Sequence, residues 1–274
     1  MLRPKTRTFR SWDGLISDYR KRGKSAWSGW MFRGQRDAGW DLQTTLERAV
    51  VDRFERPHGA IPNIERRLVR DFQRQARQFL DDVPPRKETL EWLGLMQHWG
   101  APTRLLDWTY SFYAAAFFAV ADAKPGDKIA IWAFDYRWCR KRAWALARAT
   151  REGPLPSSLA KIPFENPCVR GLFPATPFRL HQRLVVQQGT FLVPGDCSVS
   201  FMENLGAMDE GGSEVRVEKL CLQLSRRRLE QALHDLRRMN LTSASLFPGL
   251  DGFAKHGEDL IPDLAVLPVA PEEW

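Results

Sequence analysis

The sequence predicts a single α+β domain. Segments with helical spacing and segments with strand character both occur along the 274 residues, without the regular alternation of a parallel α/β protein. Apolar residues make up 43% of the chain and charged residues 27%, which is typical of a folded globular protein. No internal repeat and no low-complexity tract divides the chain, so one mixed domain is the simplest interpretation.

Two strands and three helices are predicted in the first part of the chain. They lie at residues 27–33, 64–80, 90–99, 103–109 and 112–120. Asn63 and Ser111 are candidate N-caps of the first and the last of these helices. Gly34 ends the first strand, and Gly100 ends the second helix.

Strands, helices and loops also alternate in the rest of the chain. Strands are predicted at residues 128–135, 183–193 (a strand or a hairpin) and 215–224, and helices at 136–149, 226–239 and within 242–256. Ser225 is a candidate cap, Asn240 ends its helix, and Gly189 marks a bend within the second of these strands. The Pro-rich residues 151–177 are predicted to form a long surface loop or lid, and residues 197–212 a second loop.

The net charge of +8 and the clustering of Arg and Lys suggest a polyanionic partner. The clusters lie at residues 20–22, 140–142, 226–228 and 237–238. DNA or RNA is preferred over an acidic protein as this partner. The alternative is that these clusters are solvated helix faces, and net charge alone leaves both interpretations open.

The cysteines and the apolar runs exclude several classes of protein. The four cysteines are widely spaced, with no Cys-x-x-Cys pair and no His at ligand spacing, so neither a zinc site nor a disulfide framework is predicted. A reducing cytoplasm fits this usage. No run reaches the ~18 apolar residues that a membrane helix needs, and no apolar segment follows the basic start as in a secretory signal.

Polar residues are concentrated in the segment QHWGAPTRLLDWTYSFYA at residues 97–114. It places His98, Arg104, Asp107 and Thr109 among apolar residues. A buried polar group without a hydrogen-bond partner costs about 1–3 kcal/mol. The segment therefore predicts either a functional site or a specific network of structural hydrogen bonds.

Four motifs together resemble the FRG domain, a family named for its Phe/Tyr-Arg-Gly motif. They are FRGQ at 32–35, QHWGAPTRLLDWT at 97–109, QQGTF at 187–191 and SLFPGLDG at 245–252. Trp99 departs from the pattern, because Tyr is more usual there. The resemblance predicts a basic segment over residues 1–24, the FRG domain over 25–256 and a tail over 257–274.

A strand-borne Arg-Gly pair is also similar, more distantly, to the NAD-gripping arginine of one branch of ADP-ribosyltransferases. That similarity implies a mixed or antiparallel sheet split around a cleft, with flanking helices and with NAD as substrate. Arg33 would hold the NAD phosphates or ribose, and Gly34 would let the ligand approach the backbone. The alternative is that Arg33 pairs with a buried carboxylate such as Asp107.

The residues of the polar segment have candidate roles beside Arg33. His98 would act as a general base or bind a ribose hydroxyl, or it would simply cap its helix. Asp107 would orient Arg33, Arg104 or His98, or pair with Arg104 alone. Trp108 would stack on a nicotinamide or a base, although a core position is the more frequent role of such a residue. Binding of the dinucleotide is assigned to Arg33, Gly34, Gln35, Trp108, Thr109 and Ser111.

The transferase resemblance also requires an acid near the last strands of the sheet. Such a carboxylate stabilises the positive charge that develops on the ribose, as in glycoside chemistry. The QQG motif offers only amides, with Gln187 and Gln188 predicted to alternate across a strand. Gln188 is therefore a candidate together with Glu214 and Glu218, which could supply the acid.

The leading functional hypothesis is an NAD-dependent ADP-ribosyltransferase-like enzyme that modifies nucleic acid or protein. The distribution of FRG domains implies a toxin or an effector of phage–host conflict. One alternative is a non-catalytic module that binds a nucleotide or nucleic acid. Another is a magnesium-dependent nuclease using Asp107 and Glu91, although no metal-ligand spacing favours it.

Overall fold

The computed structural model describes residues 4–150, 154, 156–165, 169–179 and 182–264. Within them, a single open seven-stranded sheet has the order β1-β7-β4-β2-β3-β6-β5. The strands are β1 (Lys5–Phe9), β2 (Trp30–Gln35), β3 (Leu106–Thr109), β4 (Lys128–Asp135), β5 (Leu172–Ala175), β6 (Gly189–Pro194) and β7 (Val217–Gln223). β1 pairs with β7 in parallel and all other neighbours are antiparallel, so the predicted α+β class with a mixed sheet is confirmed.

Helices cover both faces of the sheet. They are α1 (Trp12–Trp27), α2 (Thr45–Glu47), α3 (Ile61–Gln75), α4 (Thr89–His98), α5 (Phe112–Val120), α6 (Tyr136–Thr150), α7 (Ile162–Glu165), α8 (Gln182–Val186), α9 (Phe201–Gly206), α10 (Arg226–Arg238), α11 (Ser243–Leu246) and α12 (Leu250–Leu264). On one face α1, α5 and α10 pack against the strands around Phe32 and Ile131. On the other face α6 and α9 enclose a second cluster around Trp132 and Trp108.

The elements with strong local signals form where they are predicted. β4 spans Lys128–Asp135, and α5 spans Phe112–Val120 with Ser111 Oγ accepting a hydrogen bond from Ala114 N at 3.2 Å. α5 is apolar on all sides, and burial from both sides explains why it needs no polar face. α10 is likewise capped by Ser225 and followed by Asn240 at φ 58°.

Two predicted strands are wrong in position or type. The strand predicted at 27–33 begins at Trp30, because Trp27 is the last residue of α1. The strand predicted at 183–193 is instead the helix α8, a turn and then β6. Gln187 and Gln188 lie in that turn, with Gln188 at φ 48°, so their side chains do not alternate across a strand.

The loop predictions are also partly wrong. Residues 151–153, 155 and 166–168, with Cys168, lie outside the described residues. The described part of 151–177 contains α7 and the fully buried strand β5, and residues 197–212 contain α9. Asn63 is not a cap, because α3 already begins at Ile61.

The chain outside the predicted 25–256 segment also contributes to the structure. β1 extends the sheet at its edge, and Trp12 and Leu15 of α1 are fully buried in the main core. α12 extends to Leu264, and residues 265–274 of the predicted tail lie outside the described residues. Among the described helices, none combines the length and the apolar composition needed to span a bilayer.

Candidate functional site

A cleft opens where β2 and β3 separate. The two strands pair at a single position, Phe32 with Thr109, whereas β2 pairs with β4 along its whole length. Beyond that position no further pair joins the two strands, and residues of both strands line a cleft of about 420 Å³. This volume is within the range of about 300–1,000 Å³ that small-molecule sites occupy.

Arg33 bridges the separated strands. Its Nη1 donates a hydrogen bond of 2.8 Å to the carbonyl oxygen of Asp107, which has no partner on β2 at this point of the ladder. Its Nε is buried and has no protein acceptor. Burial lowers the pKa of Arg33, the charge of Asp107 opposes that shift, and Arg48 adds to it. The guanidinium thus has one structural bond and one buried N–H that no group of the described residues accepts.

The Asp107 carboxylate is exposed in the cleft and held in a defined orientation. Gln97 Nε2 donates to Asp107 Oδ2 at 2.9 Å, and the Thr103 hydroxyl donates to Gln97 Oε1. Leu105 N in turn donates to Thr103 Oγ1 at 3.2 Å. This chain fixes which side of the Gln97 amide faces Asp107. Among the described residues that line the cleft, Asp107 is the only carboxylate.

Trp108 and Thr109 are largely engaged in the fold. The Trp108 ring lies 5.6 Å from that of Phe134 in the core, which agrees with the alternative of a core residue, although its buried Nε1 has no acceptor. Thr109 Oγ1 donates to the carbonyl of Gln187 at 2.6 Å and accepts from Ser111 N at 3.0 Å. Both Trp108 and Thr109 line the cleft, whereas Ser111 caps α5 and does not.

His98 lies at the mouth of the cleft, on the last turn of α4. Its ring is half-buried, 5.3 Å from the ring of Trp99, which is 62% exposed. Both His98 and Gly34 line the cleft. The structure therefore brings together six of the predicted site residues: Arg33, Gly34, His98, Asp107, Trp108 and Thr109.

Besides Ser111, four of the predicted residues lie outside the cleft. Gln35 Oε1 accepts from Trp132 Nε1 at 2.6 Å in the core, and Gln188 is exposed in the turn before β6. Glu214 is exposed and pairs with Arg216. Glu218 is buried on β7, with β4 between it and β2, and it pairs with Arg22 at 2.7 Å. Neither glutamate is therefore placed to act on a ligand in the cleft.

Sequence reasoning missed several residues of the cleft. Gln97, Phe118, Arg183 and Phe247 all line it. Two signals were available, because Gln97 begins the polar segment and Phe247 lies in the SLFPGLDG motif. Arg183 carries no comparable signal, because nothing in the sequence around it distinguishes it from the many other arginines of this basic chain.

Within the described parts of the chain, no three His, Cys, Asp or Glu side chains are grouped closely enough to hold a metal ion. Arg104 is not the partner of Asp107, as one alternative had it, but of Glu65. Asp107 is therefore available to the cleft.

Comparison with known proteins identifies one family. No curated protein and no solved structure matches the chain. Residues 28–128 match the FRG domain, a range that contains β2, α4, β3 and α5 and therefore Arg33, His98 and Asp107. Over these residues, 101 of the 274, the chain is similar to the FRG domain.

Proposed function

We propose that the cleft binds NAD and that the protein is an NAD-dependent ADP-ribosyltransferase-like enzyme. The observation that carries the proposal is the Arg33 guanidinium, with a buried Nε that has no protein acceptor, beside the oriented carboxylate of Asp107. A guanidinium suits a phosphate oxygen, and a carboxylate suits positive charge on a ribose. The two groups occur together in one cleft of suitable size.

Each group has a defined task in this reaction. Bound NAD supplies an ADP-ribosyl group, whose bond to nicotinamide breaks with the electron pair leaving on the nicotinamide. Arg33 holds the phosphates, and Asp107 stabilises the positive charge that develops on the ribose. Asp107 then accepts the proton of the attacking acceptor group, which forms the new bond to the ribose. His98 lines the same cleft, and we assign to it the binding of a ribose hydroxyl.

Arg33→Gln is expected to slow transfer and weaken NAD binding by about tenfold to a hundredfold, because a hydrogen bond to a charged group contributes about 1.5–3 kcal/mol. Because the change also removes the Nη1 bond to the Asp107 carbonyl, the melting temperature should fall by a few degrees, with the protein still folded at the assay temperature. The measurement is incubation with labelled NAD and separate pools of DNA, RNA and protein, followed by detection of transferred label and released nicotinamide. Arg36→Gln removes an exposed guanidinium three residues away and is the matched control.

The same assay separates the alternatives. NAD binding without nicotinamide release would support a non-catalytic binding module instead. A folded wild-type protein that neither binds nor consumes NAD would overturn the proposal. The nuclease alternative predicts nucleic-acid cleavage that EDTA abolishes, and no group of residues described above favours it.

A basic surface on α6 is the proposed docking site of a nucleic-acid acceptor. α6 carries five Arg or Lys residues and no Asp or Glu. Arg140, Lys141 and Arg148 are exposed and form no ion pair with a described residue. Trp144 lies half-buried between Lys141 and Arg148 in a surface depression. Cations flanking an aromatic ring suit a single strand, which binds by phosphate contacts and base stacking.

Replacing Arg140, Lys141 and Arg148 together by Gln should reduce the salt dependence of single-strand binding. Three lost phosphate contacts make the slope of log K against log [salt] shallower by about 2. Fluorescence anisotropy with a labelled oligonucleotide at several salt concentrations measures this slope. The matched control replaces Arg226, Arg227 and Arg238 of α10, and an equal effect in that variant would refute a specific role of α6.

Cytoplasmic action and a role in phage–host conflict complete the proposal. Cys139, Cys197 and Cys221 are buried free thiols, which suits a reducing compartment. The conflict role rests on the resemblance to FRG domains alone.

A further inference from the structure

Arg183 is the second guanidinium of the cleft, and it lies outside the segment that matches the FRG domain. It belongs to α8, which leads into β6 on the far side of β3 from Arg33. Its guanidinium carbon lies 4.3 Å from the centre of the Phe247 ring. None of its guanidinium nitrogens donates a hydrogen bond to a described residue, so this part of the chain leaves its donors unused.

Stacking on an aromatic ring leaves a guanidinium ready to bind an anion. The attraction to the face of the ring uses no N–H acceptor, so the N–H groups of the guanidinium remain able to donate to an anion. Partial burial lowers the pKa of Arg183, and Asp107 opposes that shift. An arginine side chain stays charged at neutral pH, and the charge of Asp107 acts on both Arg183 and Arg33.

Three contacts fix the position of Phe247 beside Arg183. The Phe247 ring meets the edge of Phe118, with ring centres 5.9 Å apart. The preceding carbonyl, that of Leu246, accepts a 2.8 Å hydrogen bond from Gln187 Nε2. A Cβ on Gly252 would lie 1.8 Å from the carbonyl oxygen of Phe247, so only glycine lets α12 pack against this residue. Contacts made by residues of the SLFPGLDG motif thus fix the position of the Phe247 ring.

We propose that Arg33 and Arg183 together form a diphosphate site, with Phe247 as the platform that orients Arg183. Two guanidinium groups that reach one cleft from different elements match a ligand with two linked phosphates better than a ligand with one. This inference rests on the proposed function, because it names the part of the dinucleotide that the cleft recognises. It also makes the segment from α8 to α12 part of the site.

The test is calorimetric titration of the full-length protein with inorganic pyrophosphate and, separately, with orthophosphate. Arg183→Gln should weaken pyrophosphate binding by about tenfold to a hundredfold, since charged hydrogen bonds are lost. Orthophosphate binding should change far less, because Arg33 remains. Arg179→Gln is the matched control, since Arg179 is exposed, lies four residues before Arg183 and pairs with Asp82 at 2.8 Å.

Variants of Phe247 test the platform. Phe247→Leu should weaken pyrophosphate binding by about threefold to tenfold, the range expected for a partly exposed cation–π contact. Phe247→Tyr keeps a ring of the same size and should retain wild-type affinity. Equal affinities of the Leu and Tyr variants would show that the ring does not orient Arg183.

The inference and the proposed function can fail separately. Pyrophosphate binding that is as tight in Arg183→Gln as in wild type, or equally weakened in Arg179→Gln, would overturn the diphosphate site. So would the absence of any pyrophosphate binding by wild type. Pyrophosphate binding that depends on Arg183, without nicotinamide release from NAD, would support the site and reject the transferase. NAD turnover that does not depend on Arg183 would leave the transferase and reject the site.

Discussion

Arg104→Met is expected to lower the free energy of unfolding by about 3–5 kcal/mol, the range for breaking one side of a buried ion pair. Arg104 and Glu65 are 6% and 4% exposed. Arg104 Nε donates to both carboxylate oxygens of Glu65 at 2.8 Å, and Nη1 donates to the carbonyl of Pro163 at 3.3 Å. Methionine fills a similar volume but leaves the Glu65 charge buried and unpaired. Urea unfolding followed by circular dichroism measures the loss as a lower midpoint at unchanged m-value.

Two further variants decide whether the charge or the packing is responsible. Arg104→Met combined with Glu65→Leu removes both charges and should recover most of the lost stability. Arg226→Met breaks a surface pair in which the Arg226 side chain is 85% exposed, and its effect should stay within about 0.5 kcal/mol. If the double variant is as unstable as Arg104→Met, the loss of stability comes from lost packing and not from the unpaired Glu65 carboxylate.

The Arg104 pair shows what a sequence can and cannot provide. The polar segment around Arg104 is conspicuous, and the need for a buried partner follows from elementary energetics. The nearest carboxylate in the sequence is Asp107, yet the partner is Glu65, 39 positions away on α3. That choice depends on how α3 packs against the loop before β3, which no local pattern encodes.

Local sequence signals predict the bounds of an element correctly where they agree with its tertiary environment. β4 and α5 have the predicted bounds, because each is bounded by a turn or a cap and is buried on both sides. α8 shows the opposite case. Its Val185 and Val186 suggested a strand, but they are 55% and 41% exposed in a short helix over the cleft. Tertiary context overrides β-propensity there.

The sequence predicts Arg33 and Asp107 of the candidate site, but it does not predict which other residues lie near them. Arg33 and Asp107 lie on adjacent strands, so two motifs far apart in the sequence meet once β2 and β3 are neighbours. The sequence predicts Glu214 and Glu218 as candidate acids by analogy with transferases, whose last core strands carry a Glu. The observed order places β7 beyond β4, away from the cleft. Strand order is a property of the whole sheet, and residue patterns do not reveal it.

Gly34→Ala is expected to destabilise the protein by more than about 3 kcal/mol, the upper end of ordinary overpacking. A Cβ at this position would lie 2.0 Å from the carbonyl oxygen of Ala115 and 2.6 Å from Ala119 N. Both atoms belong to the backbone of α5, which is fixed by burial on all sides and cannot move aside. The glycine of the FRG motif is thus required for the packing of a helix on β2, in addition to lining the cleft.

Gly59→Ala is the matched control for this variant. A Cβ on Gly59 meets no atom within 4 Å, and Gly59 lies in a short helical turn, His58–Ala60. That substitution should leave stability unchanged or raise it by about 0.4–1 kcal/mol, because alanine restricts the unfolded chain. Thermal and urea unfolding of both variants measure the difference. A stable Gly34→Ala protein that binds neither pyrophosphate nor NAD would show instead that the glycine serves ligand approach, and that α5 can yield to a methyl group.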